Sequence, residues 1–344
     1  MFELPAGWSS DMHHDTFAHL LEQVEQLTPR QFAELDTVVT RARNEVEAVL
    51  EVDGSAESKA ECPHCSETRL QRWGRTRTGL QRRRCMSCLR TSCGLTGTVL
   101  QGIHRPGLLL RMVRDIASDQ PSSCRRLAAQ LDISRHTVWR WRVRILPTLL
   151  GAETKSFSGI VEADEAFQRE SRKGSREWVR HHAYPTTYPA PPRLQWHLYS
   201  AKRGFPMPRA QKWRRPLLTL ADRGGHTSVQ HIANRKESTM RAAMLPLIRG
   251  DSVLCTDGAI QYEGIARVAG LEHFVLVKGR RGARTPKSHH INTVNNAHKL
   301  LREFIRARFR GPATKYLDLY LRWFELYRRK DVDYAEVFRG ALYA

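Results

Sequence analysis

Three carboxylates stand inside one apolar run, Ser158 to Phe167, S-G-I-V-E-A-D-E-A-F: they are Glu162, Asp164 and Glu165. Ile160, Val161 and Ala163 favour a strand buried on both faces. A carboxylate on such a strand is costly unless it is paired, hydrogen-bonded or bound to a cation. A second short apolar strand, Val253-Leu254-Cys255, again runs into an aspartate, Asp257. Further on, Thr293 or Asn292 can cap a helix on which Asn295, Lys299 and Arg302 fall at offsets of four and seven, hence on one face. Each feature has a plain structural alternative: an edge strand that ends in acids, an Asp-Gly turn, and a helix face that is merely solvated. Taken together they form a coherent order. Two strands ending in aspartate, followed by a helix with a polar face, can bring Asp164, Asp257 and Asn295 to one end of an α/β sheet. Two carboxylates and an amide oxygen are hard ligands, suited to Mg²⁺ or Mn²⁺. A pair of such ions can activate an attacking hydroxyl and stabilise a leaving oxygen in phosphodiester displacement.

A different chemistry is written at Cys62-Pro63-His64-Cys65 and Cys85-Met86-Ser87-Cys88. Two C-x-x-C knuckles at this separation can converge four thiolates on Zn²⁺ in a tetrahedron. Trp73, Gly74 and the basic run Gln81 to Arg84 lie between them, as expected for the short strands of a zinc ribbon. Four ligands leave no open position, so this zinc would fold the module and perform no reaction. His64 is a possible stand-in for one cysteine, and Cys93 reads as a spare thiol.

The elements that must position these groups follow from periodicity. Residues 1–55 read as a polar helical hairpin, with Phe17, Leu20, Leu21 and Val24 at helical spacing and a linker at Asp53-Gly54-Ser55-Ala56. Residues 56–100 form the zinc ribbon. Within 101–150, Leu127, Ala128 and Leu131 face Val138 and Trp141 across a turn at Asp132-Ile133-Ser134, with Ser134 placed to cap the second helix. This is a helix-turn-helix pattern. Its second helix offers Arg135, His136, Thr137, Arg140 and Arg142 to a major groove; the alternative is a packing hairpin. Residues 151–330 hold the acid-bearing strands and a proline-rich insertion near 184–208, and 331–344 are expected to be a tail.

Lys and Arg outnumber Asp and Glu by 56 to 35, a net charge of +21. Such an excess is the footprint of a polyanion binder, with double-stranded DNA the first candidate, although charge alone names no site. Paired cysteines suit metal binding in a reducing compartment better than disulfides. With no long apolar run and no leader pattern, a cytoplasmic, nucleoid-associated protein without membrane contact is expected.

The chain resembles bacterial insertion-sequence transposases of the DDE superfamily, in the zinc-ribbon branch with an ISXO2-like transposase domain and Asn as third catalytic residue. The resemblance spans roughly 15–330. It rests on the zinc knuckles with L-T-G-T at Leu95 to Thr98, V-E-A-D-E at Val161 to Glu165, L-C-T-D-G at Leu254 to Gly258, H-I-N-T-V-N at His290 to Asn295 and F-R-G-P-A-T-K-Y-L at Phe309 to Leu317. It implies a ribonuclease H-like catalytic fold in an α/β chain, with Asp164, Asp257 and Asn295 as metal ligands and Arg302 contacting DNA near the cleavage point. It also implies binding to terminal inverted repeats and a homo-oligomeric synaptic complex. Two departures stand out: Arg302 occupies a position where the family usually has Lys, and the proline-rich stretch is longer than the family pattern. The rival reading is a non-catalytic DNA-binding regulator derived from a decayed transposase. Glu162 and Glu165 have no assigned role beyond supporting the site.

Overall fold

A computed structural model describes residues 12–151, 156–191, 214–276, 287–329 and 332–344. The chain divides into two units, residues 1–149 with 331–344, and residues 150–330.

In the first unit, α1 (His14–Glu25) is followed by the long α2 (Pro29–Ser58). Thr28 and Gln31 form a reciprocal capping box at the start of α2, with Pro29 in the first turn. The helix runs straight through 53–56, where the sequence predicts a linker. The reason is tertiary: this last stretch is the floor of the cysteine module, a sheet of β1 (Leu70–Arg75), β2 (Gln81–Cys85) and β3 (Thr91–Ser92). The Asp53 carboxylate accepts from the Gln81 amide at 2.9 Å and from Arg75 at 3.0 Å, and Val52 and Ala56 are buried. Gly94 allows the approach, because a Cβ there would lie 2.2 Å from the Val52 carbonyl oxygen.

α3 (Pro106–Ala117) packs on α2, and α4 (Cys124–Leu131) leads through a three-residue turn to α5 (Arg135–Ile145). Asp132 takes the left-handed conformation at φ 51° that ends α4, and Ser134 accepts from the Thr137 amide at 3.0 Å to start α5. The buried stripe of α5 is Val138, Arg142 and Ile145, so Arg142 takes the inward place the sequence reading gives to Trp141. Residues 331–344 are no tail. Their helix, Tyr334–Tyr343, buries Val337, Phe338, Ala341 and Leu342 and packs against α2 and α3.

The second unit is built on a five-stranded sheet of β4 (Ile160–Arg169), β5 (Arg214–Asp222), β6 (Thr227–His231), β7 (Val253–Thr256) and β8 (Glu272–Val275), in the order β6-β5-β4-β7-β8. β4, β5 and β6 are antiparallel neighbours, whereas β7 and β8 run parallel to β4. β4 is therefore the central strand, which explains its apolar Val161 and Ala163. One face packs Val161, Ala163, Leu218 and Leu220 against Met240 and Met244 of a helix at Glu237–Met244, and against Tyr262 and Ile265 of another at Ile260–Ala269. Over the other face lies the helix Asn292–Arg302, continuous with a π-helical turn at Glu303–Arg308. A last helix, Leu317–Arg328, packs on β6. In chain order these helices are α6 (Glu177–Ala183), α7 (Glu237–Met244), α8 (Ile260–Ala269), α9 (Asn292–Arg302), α10 (Leu317–Arg328) and α11 (Tyr334–Tyr343). The proline-rich insertion from residue 192 onward, and the basic loop at 278–284, lie outside the described residues. Among the described residues, no helix is long and apolar enough to cross a membrane.

Arg142 is 1% exposed and holds the Asp115 carboxylate at 3.1 Å and the Ser122 carbonyl at 3.0 Å. Asp115→Ala would leave that guanidinium buried without its counter-charge, a loss of about 3–5 kcal/mol. Urea denaturation of the variant measures it, and a change within experimental error would refute the assignment.

Candidate functional site

The cysteine module has the geometry its spacing predicts. The four Sγ atoms of Cys62, Cys65, Cys85 and Cys88 all lie within 4.8 Å of one another. The Cys62–Cys88 pair is 3.8 Å apart and the Cys65–Cys85 pair 3.6 Å. Tetrahedral Zn–S bonds of about 2.3 Å require S···S separations of about 3.8 Å, so the cluster could hold one zinc ion without rearrangement. The knuckles are built alike. The His64 amide donates to Cys62 Sγ and the Ser87 amide to Cys85 Sγ, both at 3.4 Å, and Ser66 and Leu89 take left-handed backbone just after each pair. His64 lends only its backbone, and Cys93 stands outside the cluster.

In the second unit the parallel register runs from Ile160 beside Val253 to Ala163 beside Thr256. Asp164 and Asp257 each follow the last pair of that register by one residue, so both acids stand at the same end of two neighbouring strands. Burial pushes the Asp164 carboxyl up to about 6, helped by repulsion from the Asp257 and Glu165 carboxylates and opposed by the Glu165 amide, which donates to Asp164 Oδ1 at 2.8 Å. A carboxyl whose proton affinity is raised by neighbouring carboxylates marks a donor set that a divalent cation would relieve.

α9 faces this pair. His298, buried on its inner side, brings Nδ1 to 3.6 Å from Asp164 Oδ2. Burial and the Arg302 guanidinium push the imidazole down to about 4, so the approach is that of a neutral ring. Its Nε2 has no hydrogen-bond partner. Asn295 lies three residues before His298, a neighbouring position on the helix surface, and is exposed together with Lys299 and Arg302. Arg302 Nε donates to the His298 carbonyl at 3.1 Å.

What holds α9 there is Glu162. The helix has no capping side chain of its own; Thr293, expected as a cap, instead accepts from Arg223. The fully buried Glu162 supplies the cap from β4, its Oε2 accepting from the Val294 amide at 2.8 Å. Its Oε1 meets the guanidinium of Arg223, from the β5–β6 turn, and His290 Nδ1 at 3.2 Å. Arg223 also donates to the Ser288 carbonyl at 2.9 Å. On the opposite face, Glu165 is held by Arg235 at 3.2 Å, with its Oε1 buried and unpartnered. The nearby Tyr262 hydroxyl is likewise buried and unpartnered; burial and the acids hold it far above its ordinary range, so it remains a protonated donor.

His298, Tyr262, Arg223 and Arg235 are absent from the sequence-based site. Only His298 carried a signal, its spacing of three from Asn295. Of the groove-facing set on α5, Arg135, His136 and Arg140 are exposed, and the Thr137 hydroxyl hydrogen-bonds Ser134 at 2.8 Å. Arg142 must be withdrawn from that set, since its guanidinium is consumed inside the unit.

Zinc analysis of purified protein is expected to give one ion per chain, and Cys85→Ser to lose it. The same zinc content in the variant would contradict the cluster. A proton must leave Asp164 before a cation binds, so Mn²⁺ affinity is expected to fall about tenfold per pH unit below about 6. His298 stays neutral over that range and adds nothing. The sign for stability is opposite: a raised carboxyl makes the metal-free fold less stable as pH rises from about 4 through about 6. Calorimetry on the parent and Asp164→Asn tests both, and a pH-independent affinity would count against the site.

Residues 193–329 match the family described as the ISXO2-like transposase domain. The match includes Asp257, Asn295 and Arg302 and begins after Asp164. Over 283 residues, 81% of this chain and 86% of the relative, the chain is 29% identical to an uncharacterized protein in transposable element ISH50 of Halobacterium salinarum (strain ATCC 700922 / JCM 11081 / NRC-1). Among solved structures, a pre-cleavage Mos1 transpososome aligns over 68% of this chain and 77% of that one at 14% identity; its TM-score of 0.24 is too low to bear on the fold. Residues 193–329 are thus similar to the ISXO2-like transposase domain, and most of the chain is similar to a protein carried in a transposable element.

Proposed function

We propose that the protein is a DNA transposase that cleaves and transfers strands at the ends of its own element. The observation that carries the reading is that Asp164 and Asp257 follow the last register pair of two neighbouring parallel strands, with the helix that bears Asn295 packed on β4. The order β6-β5-β4-β7-β8, with three antiparallel strands and two parallel ones, supports a ribonuclease H-like catalytic domain. Asp164, Asp257 and Asn295 would hold Mg²⁺ or Mn²⁺, which supplies Lewis-acid activation of the attacking oxygen and charge relief at the leaving one.

The chain's own residues then have definite tasks. The Asp164 carboxyl, raised to about 6, is mostly ionised near neutral pH and presents its charge at the sheet end, where Asp257 also stands. Asn295 adds a neutral oxygen, leaving this set one negative charge short of a three-acid set. Neutral His298 borders Asp164 without competing for a proton, and Glu162 fixes the helix that carries both. Arg302, exposed beyond them, offers a planar fork to a phosphate of the strand being cut. Hydrolysis of a phosphodiester at the element end frees a 3′-hydroxyl, and that hydroxyl attacks a target phosphodiester.

DNA would be gripped by the first unit. The turn between α4 and α5 and the exposed Arg135, His136 and Arg140 support a helix-turn-helix within 101–150. The zinc ribbon at 56–100, with Arg84 stacked 4.5 Å over the exposed Trp73, offers a second basic surface. Terminal inverted repeats are the DNA proposed for this grip, and two ends held together call for a homo-oligomer.

Strand cleavage on duplexes taken from the DNA flanking the gene, with Mg²⁺ or Mn²⁺, tests the reading. Asp164→Ala and Asp257→Ala are expected to lower the rate by at least about a thousandfold while leaving DNA binding intact. Cleavage at the parent rate in either variant would overturn the site, and binding without nicking by the parent would favour the regulator.

A further inference from the structure

The first two helices carry an apolar surface that stays open among the described residues. α1 has no buried residue and no capping side chain, and the buried residues of α2 begin only at Asn44. A solitary helix of about twelve residues is marginal in water, because helices in proteins owe most of their order to packing an apolar face. Such a face exists here. Phe17, Leu20 and Leu21 on α1, and Phe32, Val38 and Val39 on α2, recur at helical spacing, and each is 41–55% exposed.

Charge narrows the kind of partner. The chain as a whole is strongly basic, but residues 14–40 reverse its sign: Asp15, Glu22, Glu25, Glu34 and Asp36 stand against one base, Arg30, which itself meets Glu34 at 3.2 Å. An acidic surface is repelled by DNA phosphates and by anionic lipid, so the stripe is made for protein. Area narrows it further. Six half-exposed side chains of this size leave roughly 500 Å² of apolar surface per chain. Homodimer interfaces are about 65% apolar, so the stripe corresponds to about 800 Å² per partner, the size of a standard stable interface.

We propose that α1 and the first half of α2 form the surface on which a second copy of this chain docks, stripe against stripe. A two-fold pairing presents the same patch from both copies, so one amphipathic sequence supplies both halves of the contact. By helical spacing Asp15 and Glu22 lie on the side of α1 away from the stripe, and the pairing does not bring them together. The proposal gives the homo-oligomer of the transposase reading a definite surface, and it rests on that reading only for the purpose of the dimer.

Sedimentation velocity of the full-length chain, freed of nucleic acid, over a micromolar concentration series tests it. The parent is expected to pass from monomer to dimer. Leu21→Gln with Phe32→Gln keeps good helix formers at positions exposed in the single chain, and is expected to weaken the dimer at least about a hundredfold. Leu21→Met with Phe32→Met keeps the stripe apolar and is expected to restore dimerisation. Hydrogen exchange supplies the local readout: protection of amides 14–40 is expected to rise with protein concentration in the parent and not in the glutamine variant. A parent that stays monomeric would overturn the proposal, whether or not it binds phosphatidylcholine vesicles. So would a glutamine variant that dimerises as well as the parent, or one that unfolds at lower urea where both chains are monomeric. None of these results touches the cleavage reading, which stands or falls with Asp164 and Asp257. A chain that dimerises through the stripe but cleaves no DNA would support the interface and overturn that reading alone.

Discussion

The fully buried carboxylate of Glu162 is the interaction on which the second unit depends. It sits in the central strand, and a carboxylate is tolerable there only because three separate segments satisfy it. The Val294 amide, the Arg223 guanidinium and His290 come from the start of α9, the β5–β6 turn and the stretch before α9. None of these is a sequence neighbour of β4. A carboxylate at a helix N-terminus also opposes the positive end of the helix dipole. One side chain therefore caps α9, closes the hairpin turn onto it and sets the height of Asn295 and His298 above the sheet.

The neighbouring acids follow the opposite logic. Asp164 lies two residues from Glu162 on the same face of β4, where it accepts from a backbone amide and stands beside a neutral imidazole, and Arg235 only partly offsets the burial and the neighbouring acids. Its raised proton affinity is the energetic trace of that arrangement. Glu162 is a satisfied carboxylate that organises structure, whereas Asp164 is a half-buried carboxyl whose proton affinity is raised beside other acids. Strands alternate the two faces, so Glu165 points away from both and is occupied by Arg235.

Much of this was legible from residues alone. The strand at Ile160 and the strand at Val253 followed from apolar runs, and the cysteine cluster from spacing. What local patterns could not show was long-range satisfaction of charge. Arg142 reads as one more basic residue on a basic helix, but its position four after Val138 and three before Ile145 puts it on the inward stripe, where Asp115 receives it. The Asp53–Ala56 segment reads as a linker by composition, although it becomes helix because β2 packs on it. Thr293 reads as a cap, but Arg223 claims its hydroxyl and a residue more than a hundred positions earlier takes over the capping. In each case a tertiary partner overrides a correct local preference.

The two units thus divide the work by the kind of interaction each conserves internally: thiol geometry and a buried ion pair in the first, a remote cap in the second. The central claim concerns the cap, and amide hydrogen exchange at Val294 tests it most directly. In Glu162→Ala, exchange at Val294 and through the first turn of α9 is expected to speed up at least about tenfold relative to amides in β4. Equal protection of Val294 in the parent and the variant would contradict the account.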